Sequence, residues 1–199
     1  AFGGKREIKG GIGTSSRRVP ASAGSHTVGV LVQTNFGGVL VMDGVPVGEE
    51  LGTHAFADAA GEARVRTESG SCMIVVATDA PLDTNSLRRL AVRALAGMAR
   101  TGASFSSGSG DYVVAFSTAP SQRVPHPGLQ VPAPVLSPAT LTALFQAVAE
   151  ATEEAICNSL LKATTVRGFR GRESRALPLD ALERVFARHG RTFGPRPVP

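Results

Sequence analysis

The sequence predicts an α/β layered domain in which helices cover a mainly antiparallel or mixed sheet. Three observations predict it. Short apolar, β-branched runs recur, as in Val28-Gly29-Val30-Leu31-Val32 and Ile74-Val75-Val76-Ala77, and they read as buried strands. Two longer segments repeat apolar residues at i, i+3 and i+4, and they read as helices with one buried stripe. The two kinds interleave in the order β-β-loop-β-α-β-α-α, without an internal repeat, which suits helices packed on a sheet.

Composition bounds the reading. Of 199 residues 42% are hydrophobic, enough for a real core, and aromatics are only 5% with one Tyr and no Trp, so the core is aliphatic. The net charge of +5 is spread along the chain and is dense only at 167–175 and 184–196. No basic run interleaves with aromatics, so no nucleic-acid partner is expected. No apolar run reaches membrane-spanning length, and no signal-like segment opens the chain. A soluble cytoplasmic protein is expected. The chain begins at Ala1 and residues 1–18 read as the interior of a longer sequence, so an upstream signal would make it periplasmic. Cys72 and Cys157 lie far apart inside apolar patterns and read as reduced core residues. The four histidines share no ligand spacing, so no metal is expected.

Along the chain, residues 1–25 read as a glycine-rich connection. Its Lys9–Arg17 stretch lacks the Gly-Lys-Ser/Thr ending of a phosphate loop. Residues 27–33 and 39–42 read as two strands joined by a hairpin at Asn35-Phe36-Gly37-Gly38. Residues 43–68 form an exposed loop in which a backbone cut is tolerable. Residues 72–77 are the third strand, with Ser71 at its start. Leu87, Leu90, Ala91, Ala94, Leu95 and Met98 mark a helix over 86–100, capped by Thr84, Asn85 or Ser86 and closed by Gly102. Residues 112–116 are the fourth strand, and the proline-rich stretch 120–138 is irregular. A long helix spans 140–163, a short one 179–188, and 191–199 are frayed.

Four residues stand out for chemistry. In Ser69-Gly70-Ser71-Cys72, a small step runs straight into an apolar strand. Cutting the Gly70–Ser71 bond would give Ser71 both a hydroxyl nucleophile and a free α-amine. The ordinary amine pKa of about 7.7–8.0 is close enough to neutrality for a base. By itself the step also reads as an ordinary turn. Ser109 and Asp111, in Ser106-Ser107-Gly108-Ser109-Gly110-Asp111, offer a hydroxyl and a carboxylate on a loop small enough for close backbone approach. A relay needs such groups in mutual reach. Asp111 beside a free Ser71 amine would favour the ammonium form, or would bind a substrate ammonium. The Asn35 amide could stabilise an oxyanion, and it is also ordinary turn chemistry. Cys72 is a rival nucleophile one residue on.

In order along the chain, Lys9-Gly10-Gly11-Ile12-Gly13-Thr14, Val32-Gln33-Thr34-Asn35-Phe36-Gly37, Asp43-Gly44-Val45-Pro46-Val47-Gly48, Gly70-Ser71, Ala77-Thr78-Asp79-Ala80-Pro81-Leu82, Gly108-Ser109-Gly110-Asp111, Ala115-Phe116-Ser117-Thr118 and Glu153-Glu154-Ala155-Ile156-Cys157-Asn158 closely resemble the self-cleaving aminopeptidases of the P1 (S58) peptidase family. These are the L-aminopeptidase D-esterase/amidases and β-peptidyl aminopeptidases. The resemblance implies an αββα sandwich of the N-terminal-nucleophile-like type, here partial. It implies cleavage between Gly70 and Ser71, with 1–70 the C-terminal part of an α subunit and 71–199 a β subunit, one composite domain. It further implies Ser71 as nucleophile, Ser109 and Asp111 as a second serine and acid, Asn35 as oxyanion donor, and no cofactor. Substrates would be short peptides, amino-acid amides or esters, and αβ units would form a homo-oligomer. An upstream portion of the α chain, with a tyrosine that completes the family's site, is absent, so the chain reads as a fragment. An acyltransferase on the same scaffold and a non-catalytic α/β binding domain are the alternative readings.

Overall fold

The structure, a computed structural model, describes Phe2 and residues 8–54, 69–123 and 136–194. In chain order the elements are β1 (Ile12–Arg18), β2 (Thr27–Asn35), α1 (Val47–Glu50), β3 (Ser69–Thr78), α2 (Thr84–Arg100), β4 (Gly108–Ser109), β5 (Tyr112–Ser117), α3 (Pro138–Leu161), β6 (Val166–Arg167), β7 (Glu173–Ser174) and α4 (Leu179–Arg188). Strands β1, β2 and β3 pair antiparallel in that order, and β3 then runs parallel to β4 and β5. The sheet is therefore mixed.

Period-two alternation splits this sheet into two unlike faces. Val28, Val30, Val32 and Thr34 on β2, and Cys72, Ile74, Val76 and Thr78 on β3, are all buried on one face. Helices α2 and α3 lie over that face and against each other. Helix α2 contributes Leu90, Ala94 and Met98, and α3 contributes Leu144, Val148, Ala151, Ala155 and Ile156. The helices meet at Gly97, where a side-chain carbon would stand 2.3 Å from the Ala149 carbonyl oxygen. Only glycine permits that approach. The opposite face leaves Leu31, Met73, Tyr112, Val114 and Phe116 exposed. Helices α2 and α3 thus form a layer on one face of the five-stranded sheet, the α/β layering expected.

Several elements differ from expectation. Residues 12–18 are a strand, not a connection. Only Gly13 of that strand is buried, beneath the α3 backbone, so no apolar pattern announces it. Residues 39–42 are not a strand paired with β2. The Val39 and Val41 N–H groups donate to Gly102 and Thr101 carbonyls at the end of α2, at 2.9 and 3.0 Å, so the segment wraps that helix terminus. The expected hairpin at Asn35–Gly38 is accordingly absent. Strand β3 begins at Ser69, so Ser71 is its third residue. Helix α2 begins two residues early because Asp83 caps it, accepting the Ser86 N–H at 2.7 Å. Helix α3 likewise starts at Pro138, capped by Ser137, and ends at Leu161. The short antiparallel pair β6–β7 was not anticipated, whereas α4 has the predicted bounds. The expected exposed loop over 43–68 instead buries Val45 and Val47 and forms α1 over Val47–Glu50, and the remaining expectations for 55–68, 124–135 and 195–199 lie outside the described residues. Among the described residues no helix is long and apolar enough to cross a membrane.

The Asp83 cap sets a pH-dependent stability. Hydrogen bonding to Ser86 holds its carboxyl below the usual aspartate range. A lowered carboxyl stabilises the fold above its unfolded value and loses that contribution as pH falls through the folded one. Asp83→Ala is expected to cost about 0.5–1 kcal/mol in urea denaturation at pH 7, the low part of the capping range because the group is partly exposed. The gap between variant and wild type should close as pH drops below about 4.

Candidate active site

Strand β3 changes partner along its length. Ser69 and Gly70 pair with Gly108 and Ser109 of β4, and from Met73 onward β3 pairs with β5, starting at Tyr112. Ser71 and Cys72 on one side, and Gly110 and Asp111 on the other, occupy the junction between these two ladders. There the Cys72 N–H donates to Asp111 Oδ1 at 2.9 Å, so a carboxylate stands in for a backbone acceptor. Ser109 Oγ donates to both oxygens of the same carboxylate, at 3.1 and 3.0 Å. Charge assistance makes such bonds stronger than neutral ones, and together they fix the loop.

The loop in turn aims Gly110. Its N–H lies 3.3 Å from the Gly70 carbonyl oxygen and 3.4 Å from Ser71 Oγ. Ser71 Oγ donates to the same Gly70 carbonyl at 2.5 Å. One backbone donor and one hydroxyl thus converge on the carbonyl that precedes Ser71. The Ser109–Asp111 pair makes no hydrogen bond to Ser71, whose hydroxyl is turned to Gly70.

Asn35 closes the other side. It ends β2 directly opposite Ser71 in the antiparallel register, so both side chains project from the open face of the sheet. Its side-chain amide has no hydrogen-bond partner among the described residues, which leaves the N–H groups available. The Asn35 backbone also presses on Gly70. A side-chain carbon on Gly70 would stand 2.4 Å from the Asn35 carbonyl oxygen and 3.1 Å from Phe36 Cα. Glycine is therefore the residue that lets β2 close over the Gly70–Ser71 bond.

Cys72 projects to the opposite face and is fully buried in the core. Burial, reinforced by the nearby Asp111 charge, pushes its thiol up to about 12. A thiol so placed stays protonated and is not a nucleophile near neutral pH. Among the described residues no cluster of His, Cys, Asp and Glu could hold a metal ion.

One candidate donor, the Gly110 N–H, is not singled out by the sequence. The Gly110 N–H carries no side-chain signal, although the glycine-rich loop showed that backbone could approach there. Tyr112, the only tyrosine of the chain, starts β5 immediately after Asp111 and its ring edge lies over Gly110.

Native protein treated with iodoacetamide at pH 8 should leave Cys72 unmodified, and urea should expose it to complete alkylation, as read by peptide mass mapping. Rapid alkylation of Cys72 in the native state would contradict its placement in the core.

Residues 5–174 match the sequence pattern described as Peptidase family S58. The beta-peptidyl aminopeptidase BapA of Sphingosinicella microcystinivorans is 42% identical over 193 residues, covering 92% of this chain and 49% of that protein. Among solved structures, the PH0078 protein from Pyrococcus horikoshii OT3 is 42% identical with a TM-score of 0.80, covering 96% of this chain and 50% of that one. The L-aminopeptidase D-Ala-esterase/amidase from Ochrobactrum anthropi, described as a prototype of the serine aminopeptidases and a variant of the Ntn hydrolase fold, is 31% identical. Its TM-score is 0.77, with 94% of this chain and 50% of that one covered. The chain thus spans about half the length of the curated relatives it matches.

Proposed function

Because this chain belongs to peptidase family S58, we propose that it is the nucleophile-bearing part of a self-processing serine aminopeptidase. The observation that carries this reading is the convergence of Ser71 Oγ and the Gly110 N–H on the Gly70 carbonyl oxygen, at 2.5 and 3.3 Å. The attacked carbon is the one bonded to that oxygen.

In maturation, Ser71 Oγ adds to the Gly70 carbonyl carbon and charge develops on its oxygen, where Gly110 donates. The C–N bond breaks, the proton lost by Oγ ends on the departing Ser71 nitrogen, and an ester links Gly70 to Ser71 Oγ. Water hydrolyses that ester, giving a Gly70 carboxylate, a free Ser71 hydroxyl and a Ser71 α-amine. Residues 1–70 and 71–199 are then separate chains of one composite domain. The cut leaves the sheet intact, because eight register pairs from Val28↔Thr78 to Asn35↔Ser71 zip the two pieces together.

In turnover, the same hydroxyl attacks an amide or ester whose acyl residue bears a free amine. The Ser71 amine, a group whose unperturbed pKa of about 7.7–8.0 lies close to neutrality, accepts the hydroxyl proton and returns it to the leaving group. The uncommitted Asn35 amide and the Gly110 N–H receive the oxyanion. Ser109 holds the Asp111 carboxylate in place beside Ser71. Water then releases the acyl residue. Short peptides and amino-acid amides or esters fit this chemistry, and the name of the BapA relatives directs attention to β-peptides.

Ser71→Ala in the natural protein should give an uncut chain and no amidase activity, by intact mass and amide turnover. Ser109→Ala should lower kcat by about 10²-fold, the scale of a misplaced neighbouring group, because Asp111 loses the hydroxyl that holds it beside Ser71. A Ser71→Ala protein that still separates into two subunits contradicts the proposal.

A further inference from the structure

Tyr112 belongs to neither the core nor the hydrogen-bonded set of Ser71, Ser109, Gly110 and Asp111 described above. It begins β5, pairs in register with Met73 and is 62% exposed. Val113, its neighbour in β5, turns toward the helices. Alternation therefore places Tyr112 on the open face, the face that carries Ser71 and Asn35.

The ring does not extend freely into solvent. It leans back along the strand over Gly110, where a side-chain carbon would meet Tyr112 Cε2 at 3.0 Å, its hydroxyl at 3.5 Å and Ser71 Oγ at 3.5 Å. Gly110 is thus the common neighbour of the tyrosine ring and the nucleophile. The Tyr112 hydroxyl has no hydrogen-bond partner among the described residues. What the site gains from this residue is a flat, rigid apolar surface beside the reacting serine, continued by the exposed Met73. Aromatic rings offer such surface at small conformational cost.

We propose that the ring of Tyr112 is a specificity-determining wall, against which the side chain of the substrate's amino-terminal residue packs while Ser71 attacks. This rests on the aminopeptidase reading above. It assigns the contact to the ring and not to the hydroxyl.

The test uses the natural protein with paired amides that differ by an isobutyl side chain: leucinamide against glycinamide, and β-homoleucinamide against β-alaninamide. Tyr112→Ala should process itself like wild type, which reports an intact fold and nucleophile. It should lose the preference for the isobutyl member of the pair that is turned over, by about tenfold in kcat/KM and mainly through KM. Tyr112→Phe should retain that preference. An active wild type whose preference survives Tyr112→Ala, or whose preference is lost equally in Tyr112→Phe, overturns the inference alone. A wild type that turns over neither pair overturns the aminopeptidase reading together with it.

Discussion

Asp111 supplies the interaction on which the candidate site depends. Where β3 passes from one parallel partner to the other, the buried Cys72 N–H has the Asp111 carboxylate as its acceptor. A buried N–H left without one costs about 1–3 kcal/mol, so the carboxylate is under strong constraint to stay. Holding it there also anchors Ser109 and sets the path of Gly110. That path puts the Gly110 N–H within reach of both the Gly70 carbonyl and Ser71 Oγ. A requirement of sheet hydrogen bonding thereby positions a backbone donor beside the Gly70 carbonyl.

The same junction explains how a chain could be cut inside a strand without losing its fold. Gly70 remains held by β4 and by the close approach of Asn35, while Ser71 onward remains held by β2 and β5. The new ends would stay beside each other and beside the donors. Period-two alternation then sorts the chemistry. Ser71, Asn35 and Tyr112 share the open face, whereas Cys72 turns its thiol into the aliphatic core. A one-residue shift in register would exchange the two side chains, which is why the pairing of Asn35 with Ser71 matters.

Much of the fold was legible because its helices obey the 3.6-residue period. Leu90, Ala94 and Met98 mark α2, and α3 buries Leu144, Val148 and Ile156 at the same spacing. Strands β2, β3 and β5 were legible as β-branched runs. Strand β1 was not, because α3 packs so closely on it that its one buried position is Gly13, and small residues leave no hydrophobic pattern. Val39–Met42 misled for the opposite reason: an apolar run is also what a segment needs when it buries Leu40 and Met42 around a helix end. At the candidate site, Ser71, Ser109, Asp111 and Asn35 each also read as ordinary turn residues, and it is the ordered motifs of the family resemblance that single them out. The Gly110 N–H could not be singled out, since a backbone donor is chosen by conformation and not by side chain. Asp83 is hard to tell from its polar neighbours as the cap of α2, because several adjacent residues can accept from a first-turn N–H.

The most direct test is amino-terminal sequencing of the natural protein's separated chains. Cleavage before the proposed nucleophile predicts two chains in equal amounts, the downstream one beginning Ser-Cys-Met-Ile-Val. A single uncut chain that nevertheless hydrolyses amides, or a downstream chain beginning at any other residue, would contradict Ser71 as the amino-terminal nucleophile.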